Sequence, residues 1–600
     1  MVSQYEITFM PEDKGIVVDE GTSLLAAARA AGLLVEAPCN GRGTCGKCQV
    51  KIAGRFTTPG ELERNQLGNR LDKGVRLACQ ARVAGPAQVE LLSVAAQSNG
   101  FITLTAGQST EWPFDPPVQR LVHQQIQPEQ ELRDLAAGFE PLFPENYPGL
   151  LQELAAQQKQ GNLAKTVIVK NGKLLDWQYQ LGQHCYGVAL DIGTTSVVAE
   201  VFDLTSGNSI GAFSCLNPQT EFGGDVLTRI SFAAKQPGGT GILQRKIIDG
   251  INQLFAQVTS EHQLKREDIY EVVVAGNTTM QHLLLGVDPR SLAYAPYQPV
   301  FTQQVEVSPA ALGLEMSPRG VVTILPSAAA FVGADIVAGL VAVGLQHAAK
   351  TTLFIDIGTN GEIVVCNNGS LVGTSSAAGP ALEGMNISCG CRAEQGAIEG
   401  VSIADDGTVR LKVIGNGLPK GVCGSGLIDL ISELARCGVI TDNGRFASSA
   451  QLPAELANRM TSIEGRPVFI ISGAQQLFLT QKDVRQVQLA KSAIYTAMNL
   501  LLKEINICFE DIDEILVAGA FGFHLQPVSL SGIGLLPLSC QNKIRFVGNT
   551  AKEGAKAVLF NRHASVEIQQ IRQKIKIVEL SLHPEFQNYF VQALAFPKNF

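Results

Sequence analysis

Two stretches of the chain, GVALDIGTTSVVAEVFD (187–203) and TLFIDIGTNGEIVVCNNGS (352–370), share one pattern: an apolar run, the tetrapeptide Asp-Ile-Gly-Thr, and a second apolar run. Short apolar runs broken by a glycine turn read as strand, turn, strand. Their repetition predicts an internal duplication with lobes beginning near 187 and 352. It lies inside an α/β region from 184 to 600, where strand-like runs alternate with amphipathic helices. The turns carry chemistry as well as shape. Gly193 and Gly358 expose backbone amides, and Thr194, Thr195, Thr359 and Asn360 add hydroxyl and amide donors suited to phosphate oxygens. Two facing turns of this kind can clamp a triphosphate while Asp191 and Asp356 hold Mg2+ or orient a water. One such turn alone would carry little weight, because Asp and Gly are common in turns of every kind.

The 600 residues are several times the usual size of one domain, and 45% hydrophobic against 17% charged residues is ample material for buried cores. A formal net charge of -8 argues against an extended nucleic-acid face or a basic membrane-binding surface. The N-terminus, MVSQYEITFMPEDKGIVVDE, lacks the basic and apolar regions of an export signal. The longest apolar stretch, Ala328 to Leu345, contains Asp335 and is broken by Gly333, Gly339 and Gly344, so it reads as a buried helix rather than a span. These features predict a cytoplasmic protein with small-molecule or protein partners.

Residues 1–94 read as a β-grasp, ferredoxin-like α+β domain. Strands are expected at YEITFM, GIVVDE, QVKIAG, VRLACQARV and QVELL, with an Ala/Leu helix from Ser23 to Ala31. The glycine-rich loop PCNGRGTCGKC (38–48) places Cys39, Cys45 and Cys48 at C-x5-C-x2-C spacing, and Cys79 follows in RLACQ. Four thiolates so spaced suit a [2Fe-2S] cluster, with one more residue in the first gap than the plant-type pattern. That longer gap resembles adrenodoxin-like ferredoxins. Gly41, Gly43 and Gly46 permit tight turns that aim amides at the sulfurs. A zinc site is the alternative, but structural zinc ordinarily uses two close pairs and Cys79 has no near neighbour. Gly41 to Cys48 also reads G-x4-G-K-C, but Cys48 replaces the hydroxyl residue of a phosphate loop and no long helix is expected after it. Most of the other cysteines sit in apolar runs and read as buried small residues, while Cys389, Cys391 and Cys423 could form a second metal site, at irregular spacing.

Residues 95–117, rich in Ser, Gly and Pro, read as a linker that lets the first domain swing. A small middle domain, 118–183, is expected to hold a helix at LLQELAAQQK and a hairpin at VIVKNGKLLDW with Asn-Gly as its turn.

The order DIGTT (191–195), DIGTN (356–360) and VAGAFG (517–522) resembles the ATPase superfamily of actin, sugar kinases and Hsp70, whose fold is two ribonuclease-H-like lobes around a cleft. That resemblance implies a first phosphate loop at 191–195, a second at 356–362 and an adenosine-side turn at Val517 to Gly522. Asp191, Asp356 and Glu362 are then the catalytic candidates. The nucleotide-binding candidates are Gly193, Thr194, Thr195, Asn277, Gly358, Thr359, Asn360, Gly361, Gly519 and Gly522. Gly424, Ser425 and Gly426 in CGSGLID are either a further glycine turn near the nucleotide or a helix N-cap.

The segments VVVAGNTTMQHLLLGVDP (272–289), GPALEGMNISCG (379–390) and VGNTAKEGA (547–555), on one chain with the ferredoxin module, look like the reductive activators of corrinoid proteins. The likeness spans nearly the whole chain and is weakest between about 95 and 183. It implies an ATP-dependent reductase or activase that converts an inactive Co(II) corrinoid to Co(I) on a partner methyltransferase or corrinoid iron-sulfur protein. Electrons would enter from an upstream low-potential donor through the [2Fe-2S] cluster, and ATP and Mg2+ would be the other cofactors. Reduction to Co(I) is uphill from a cluster at about −400 mV, so ATP must act through two conformations, which a two-lobed cleft supplies. Neither nucleic acid nor membrane is an expected partner, and a homodimer is compatible with the family. The chain has eight histidines but no D-x-H-x-x-G segment, which puts cobalt on the partner. His282 and His524 adjoin the motifs but are read as packed, hydrogen-bonded residues.

Three rivals explain less. A small-molecule kinase would need no cluster, and a plain ferredoxin-like electron carrier leaves both Asp-Ile-Gly-Thr turns without a purpose. An ATP-coupled activator of radical dehydratases would place its cluster between subunits, which makes Cys389, Cys391 and Cys423 the discriminating positions.

Overall fold

The computed structural model describes residues 3–11, 13–31, 33, 35, 37, 41–43, 46–92, 110–122, 140–160, 166–179, 184–463, 465–519, 525–580 and 583–598. Strands β1 (Gln4–Met10), β2 (Lys14–Asp19), β3 (Gln49–Phe56), β4 (Val75–Leu77) and β5 (Val83–Leu91) form one sheet in the order β2-β1-β5-β3-β4. β1 runs parallel to β5, and the other pairs are antiparallel. Helix α1 (Leu24–Ala30) starts where Ser23 Oγ accepts from the Ala26 amide at 3.2 Å, and its Leu24 and Ala27 pack with Ile7, Phe9 and Val89 in the core. This is the ferredoxin-like arrangement the sequence predicts, with one difference. VRLACQARV is not a continuous strand. β4 stops at Leu77, and the amides of Gln80 and Ala81 both donate to Leu77 O, at 2.8 and 2.9 Å. The turn takes Cys79 out of the ladder, while the Ala78 amide donates to Cys48 O at 2.7 Å and ties this turn to the cysteine loop.

A second small sheet, β6 (Val118–Val122), β7 (Thr166–Lys170) and β8 (Lys173–Gln178), carries helix α2 (Tyr147–Lys159). Asn171 and Gly172 take φ of 49° and 81°, the left-handed pair a two-residue hairpin needs. Lys170 reaches from β7 into the next domain, 2.6 Å from Glu271 Oε1 and 2.8 Å from Glu306 Oε1. Burial opposes its charge, but Glu271 and then Glu306 outweigh it and hold the ammonium protonated. Residues 110–117 run along the large domain: Thr110 N donates to Ala342 O at 2.7 Å and Asp115 N to Phe560 O at 2.8 Å.

The large region is two lobes of like construction. In the first, β9 (Tyr186–Ile192), β10 (Ser196–Asp203) and β11 (Ser209–Leu216) make an antiparallel meander. Helices α3 (Val226–Lys235) and α4 (Gly239–His262) follow, then β12 (Ile269–Gly276), α5 (Thr278–Leu284), β13 (Val305–Val307), β14 (Val321–Ile324) and α6 (Ala334–Ala342). The sheet order is β11-β10-β9-β12-β14-β13. The second lobe repeats the plan with the meander β15 (Thr352–Ile357), β16 (Gly361–Asn367) and β17 (Ser370–Ser376). After β18 (Ala397–Ile403), α7 (Gly424–Arg436) and α8 (Gln481–Glu504) come β19 (Glu514–Ala518), β20 (Ile544–Gly548), α9 (Thr550–Phe560) and β21 (Lys576–Ile577). Its sheet order is β20-β19-β15-β16-β17-β21. In each lobe the first meander strand sits centrally and pairs in parallel with a later strand, β12 or β19. The duplication read in the sequence is therefore a duplication of topology.

A shared core joins the lobes. Ile336, Val337 and Leu340 of α6 pack with Ala555, Val558 and Leu559 of α9 and with Phe354 and Leu516 from the second sheet. α6 is the buried helix expected inside 328–345, and no described helix is long and apolar enough to cross a membrane.

Candidate functional site

β9 and β15 end on the two Asp-Ile-Gly-Thr turns, which face each other across a cleft with about 810 Å³ of open space. Each turn is closed by the amide of its glycine, but the second is tighter by one residue: Gly193 N donates to Ser196 O and Gly358 N to Asn360 O, each at 2.9 Å. The first turn is held from behind. Asn277 caps α5, accepting from Met280 N at 3.0 Å, and its Nδ2 donates to Thr194 Oγ1 at 3.0 Å. The buried Arg229 guanidinium donates to Thr194 O, and to Gly223 O at 2.9 Å. Glu383 reaches both turns, accepting from Thr195 Oγ1 at 3.0 Å and from Thr359 Oγ1 at 3.2 Å on the same carboxylate oxygen. Behind the second turn, Gly519 has φ +114°, and a Cβ there would lie 2.4 Å from Ile357 O, so only glycine lets β19 end this close.

Acid dominates the cleft. Burial pushes Asp191 up to about 6, moderated by a 2.9 Å hydrogen bond from Asn549 Nδ2 and by the Lys552 charge. Burial, then the Asp191 carboxylate, pushes Asp335 up to about 7. Asp356 is pushed up to about 8 by burial and by Asp335, Asp191 and Glu383. Burial first, then Asp335 and Asp356, raises Glu362 well above the usual carboxylate range. Asp356 and Glu362 sit directly opposite each other on β15 and β16, so the push of the Asp356 carboxylate on Glu362 is built into the register. Carboxylates crowded in one desolvated cleft suit a hard divalent cation, and the donor set is all oxygen. Mg2+ ordinarily takes one or two carboxylates plus substrate phosphates, so it needs no protein cage. No group of three or more His, Cys, Asp or Glu forms a metal cage among the described residues.

Most of the residues singled out in the sequence meet here. Asp191, Gly193, Thr194, Thr195, Asn277, Asp356, Gly358, Thr359, Asn360, Glu362 and Gly519 all line the cleft. Gly361 lies behind it, where a Cβ would meet Ile494 Cγ1 at 2.7 Å. Gly424, Ser425 and Gly426 begin α7 and pack on β18: Ser425 Oγ donates to Glu399 O at 2.8 Å, and they are not part of the cleft lining. Gly522 and His524 lie outside the described residues. Asp335, Glu383 and Asn549 line the cleft without having been singled out. A lone acid in an apolar stretch was the available signal for Asp335, and the motifs GPALEG and VGNTAKEG contained the other two. His282 is a packed residue: its Nδ1 lies 2.7 Å from Thr278 O and its Nε2 accepts from Val300 N at 3.1 Å.

At the N-terminal domain, Cys48 and Cys79 are buried, and Cys39 and Cys45 lie outside the described residues. Gly41, Gly43 and Gly46 take φ of 82°, 73° and 68°, the left-handed turns expected of a loop wrapped on a cluster. Gln80 Nε2 donates to Gly41 O at 2.9 Å and toward Cys79 Sγ at 3.5 Å, a polar environment that suits a cluster thiolate. After Cys48 the chain enters β3 rather than a helix, which leaves the phosphate-loop spelling without its structure. Cys389, Cys391 and Cys423 are near neighbours, and burial pushes Cys389 up to about 12 and raises Cys391 and Cys423 as well, Cys391 also through the charges of the other two.

The model of a 2Fe-2S iron-sulfur cluster binding domain matches residues 7–84, that of the RACo middle region matches 186–348, and that of the C-terminal domain of RACo, the ASKHA domain, matches 350–600. The corrinoid activation enzyme RamQ of Eubacterium limosum is 33% identical over 604 residues, covering 98% of each chain. The [Co(II) methylated amine-specific corrinoid protein] reductase of Methanosarcina barkeri is 24% identical over 430 residues, 68% of this chain and 77% of that one. Among solved structures, a reductive activator for corrinoid, iron-sulfur protein superposes with a TM-score of 0.74 at 32% identity, over 99% of this chain and 98% of the other.

Proposed function

This chain belongs to the family of reductive activators of corrinoid proteins, and on that premise we propose how its residues divide the work. The protein uses ATP to return an inactive Co(II) corrinoid, carried by a partner methyltransferase or corrinoid iron-sulfur protein, to Co(I). It works in the cytoplasm and receives electrons from a low-potential donor. Cys39, Cys45, Cys48 and Cys79 hold a [2Fe-2S] cluster, which when bound supplies one-electron transfer at low potential. The amides and hydroxyls of residues 193–195 and 358–360 bind the triphosphate from two sides. Asp191, at about 6 against about 7 for Asp335 and about 8 for Asp356, is ionised at neutral pH and takes Mg2+. Asp356, raised to about 8, is the stronger base of the two once ionised and accepts the proton of the attacking water, with Glu362 opposite it on β16.

The observation that carries this reading is the meeting, on one chain, of two facing phosphate-type turns over buried carboxylates with a cysteine loop built on left-handed glycines. Because the reduction is uphill, ATP is expected to act by changing the relation of the two lobes. The test uses the full-length protein with its cluster reconstituted. It should show a [2Fe-2S] EPR signal on reduction and convert a Co(II) corrinoid partner to Co(I), followed by absorbance, only when ATP and Mg2+ are present. Conversion at the same rate without ATP would sink the proposal.

A further inference from the structure

The cluster domain is seated on both ATPase lobes. On the first lobe, Arg29 of α1 pairs with Glu221, Nε to Oε1 at 3.4 Å, and lies over the Phe222 ring at 5.4 Å. Arg42 of the cysteine loop donates to Thr228 Oγ1 at 3.0 Å. On the second lobe Lys47, the residue before Cys48, donates to Ile387 O at 2.9 Å and Gly390 O at 3.4 Å.

Each anchor is a short path from a phosphate turn. Thr228 is followed on α3 by Arg229, whose guanidinium grips Thr194 O and, at 3.2 Å, Gln219 Oε1 in the turn that ends at Glu221. Ile387 and Gly390 belong to the segment that begins at Glu383, the carboxylate shared by Thr195 and Thr359. That segment is stiff. Met385 N donates to Pro380 O at 3.1 Å, Gly390 N to Ile387 O at 3.1 Å, and Ser388 N to Asp483 Oδ1 at 2.8 Å. The seam beside it is open, and its charged lining residues are Lys47, Arg70, Lys420 and Lys482, all cations. A few polar anchors around an open seam make an interface that parts easily.

We propose that the [2Fe-2S] domain is docked and released by nucleotide, through one relay from each phosphate turn. The first runs Thr194, Arg229, Thr228, Arg42, and the second runs Thr359, Glu383, the segment 384–390, Lys47. This rests on the reading that the cleft takes a triphosphate. Phosphate oxygens and the Glu383 carboxylate are like charges competing for the same two hydroxyls, so a bound triphosphate drives Glu383 from Thr195 and Thr359. Displacement of Glu383 shifts the stiff segment behind it and removes the carbonyls that hold Lys47. The freed domain can then carry its cluster to the partner, and Arg29, Arg42, Lys47 and Glu383 are positioning residues for electron delivery.

Hydrogen exchange read by mass spectrometry on the full-length, cluster-loaded protein tests this, with Mg2+ and a non-hydrolysable ATP analogue as the probe. Peptides over 191–196 and 356–361 should become protected, while those over 46–49 and 386–390 exchange about tenfold faster, as expected for losing one charged hydrogen-bond anchor. Lys47→Ala should give the fast exchange with or without analogue. Glu383→Gln removes the charge and keeps the shape, and should leave the dock at its nucleotide-free exchange even with analogue bound. Protected turns with an unchanged dock, or a Glu383→Gln response equal to the original, would overturn the relay and leave the nucleotide site standing. Unprotected turns would overturn both.

Discussion

The two Asp-Ile-Gly-Thr turns have the same four residues at equivalent places in two like lobes, yet they are not electrostatic equals. Asp191 accepts a hydrogen bond from Asn549 and feels Lys552, and its carboxyl sits at about 6. The charges that act on Asp356 are the carboxylates Asp335, Asp191 and Glu383, and it sits at about 8. Burial is the largest cause in both. The tetrapeptide shapes the turn, and neighbours far away in sequence set its charge. Duplication thus produced two turns that share a tetrapeptide and titrate apart, a difference the proposed ATPase can use by giving one acid to the metal and the other to the water.

The sharpest way to break the comparison is Asp356→Asn, expected to cut ATP hydrolysis by about 10²–10³-fold at any Mg2+ concentration. Asp191→Asn should instead be rescued in part by added Mg2+, and steady-state assays across a Mg2+ titration distinguish the two. Equal, unrescued losses would erase the division of labour. Next comes Gly519→Ala, which strikes the second turn alone. Its Cβ would sit 2.4 Å from Ile357 O at a φ of +114°, and about 1–3 kcal/mol of stability should be lost in thermal unfolding.

A pH series sharpens the comparison without touching the turn shape. Both carboxyls are raised by folding, so the stability they contribute is whole below pH 4 and is lost as pH rises, through about 6 for Asp191 and about 8 for Asp356. The nucleotide-free protein should therefore melt lower at pH 8.5 than at pH 5 on this account. Asp356→Asn should melt higher than the original at pH 8.5, with the gap closing toward pH 4. Calorimetry showing a gap that widens toward acid would contradict the sign. Asn549→Leu should move Asp191 toward Asp356, raising the pH midpoint of Mg2+-ATP binding and weakening it roughly tenfold at pH 7. The smallest effects belong to Thr195→Val and Thr359→Val, each removing one hydroxyl from Glu383 and changing nucleotide affinity by about threefold in calorimetric titration.

Much of this was legible in the chain alone. The strand-turn-strand repeat, the Asn-Gly hairpin at 171–172, the helix capped by Ser23 and the left-handed glycines of the cysteine loop all rest on local geometry, which a short stretch of sequence carries in full. VRLACQARV misled because its strand pattern competes with the turn that Cys79 must make toward the cysteine loop, and the turn prevails. Only the tertiary structure brought Asp335, Glu383 and Asn549 to the cleft and seated Lys47 on the second lobe. Burial, Coulomb repulsion and hydrogen bonding act through space, between residues the sequence holds tens to hundreds of positions apart. The chain determined that there would be two Asp-Ile-Gly-Thr turns and a cysteine loop, and the fold decided how each acid is charged and what the cluster domain touches.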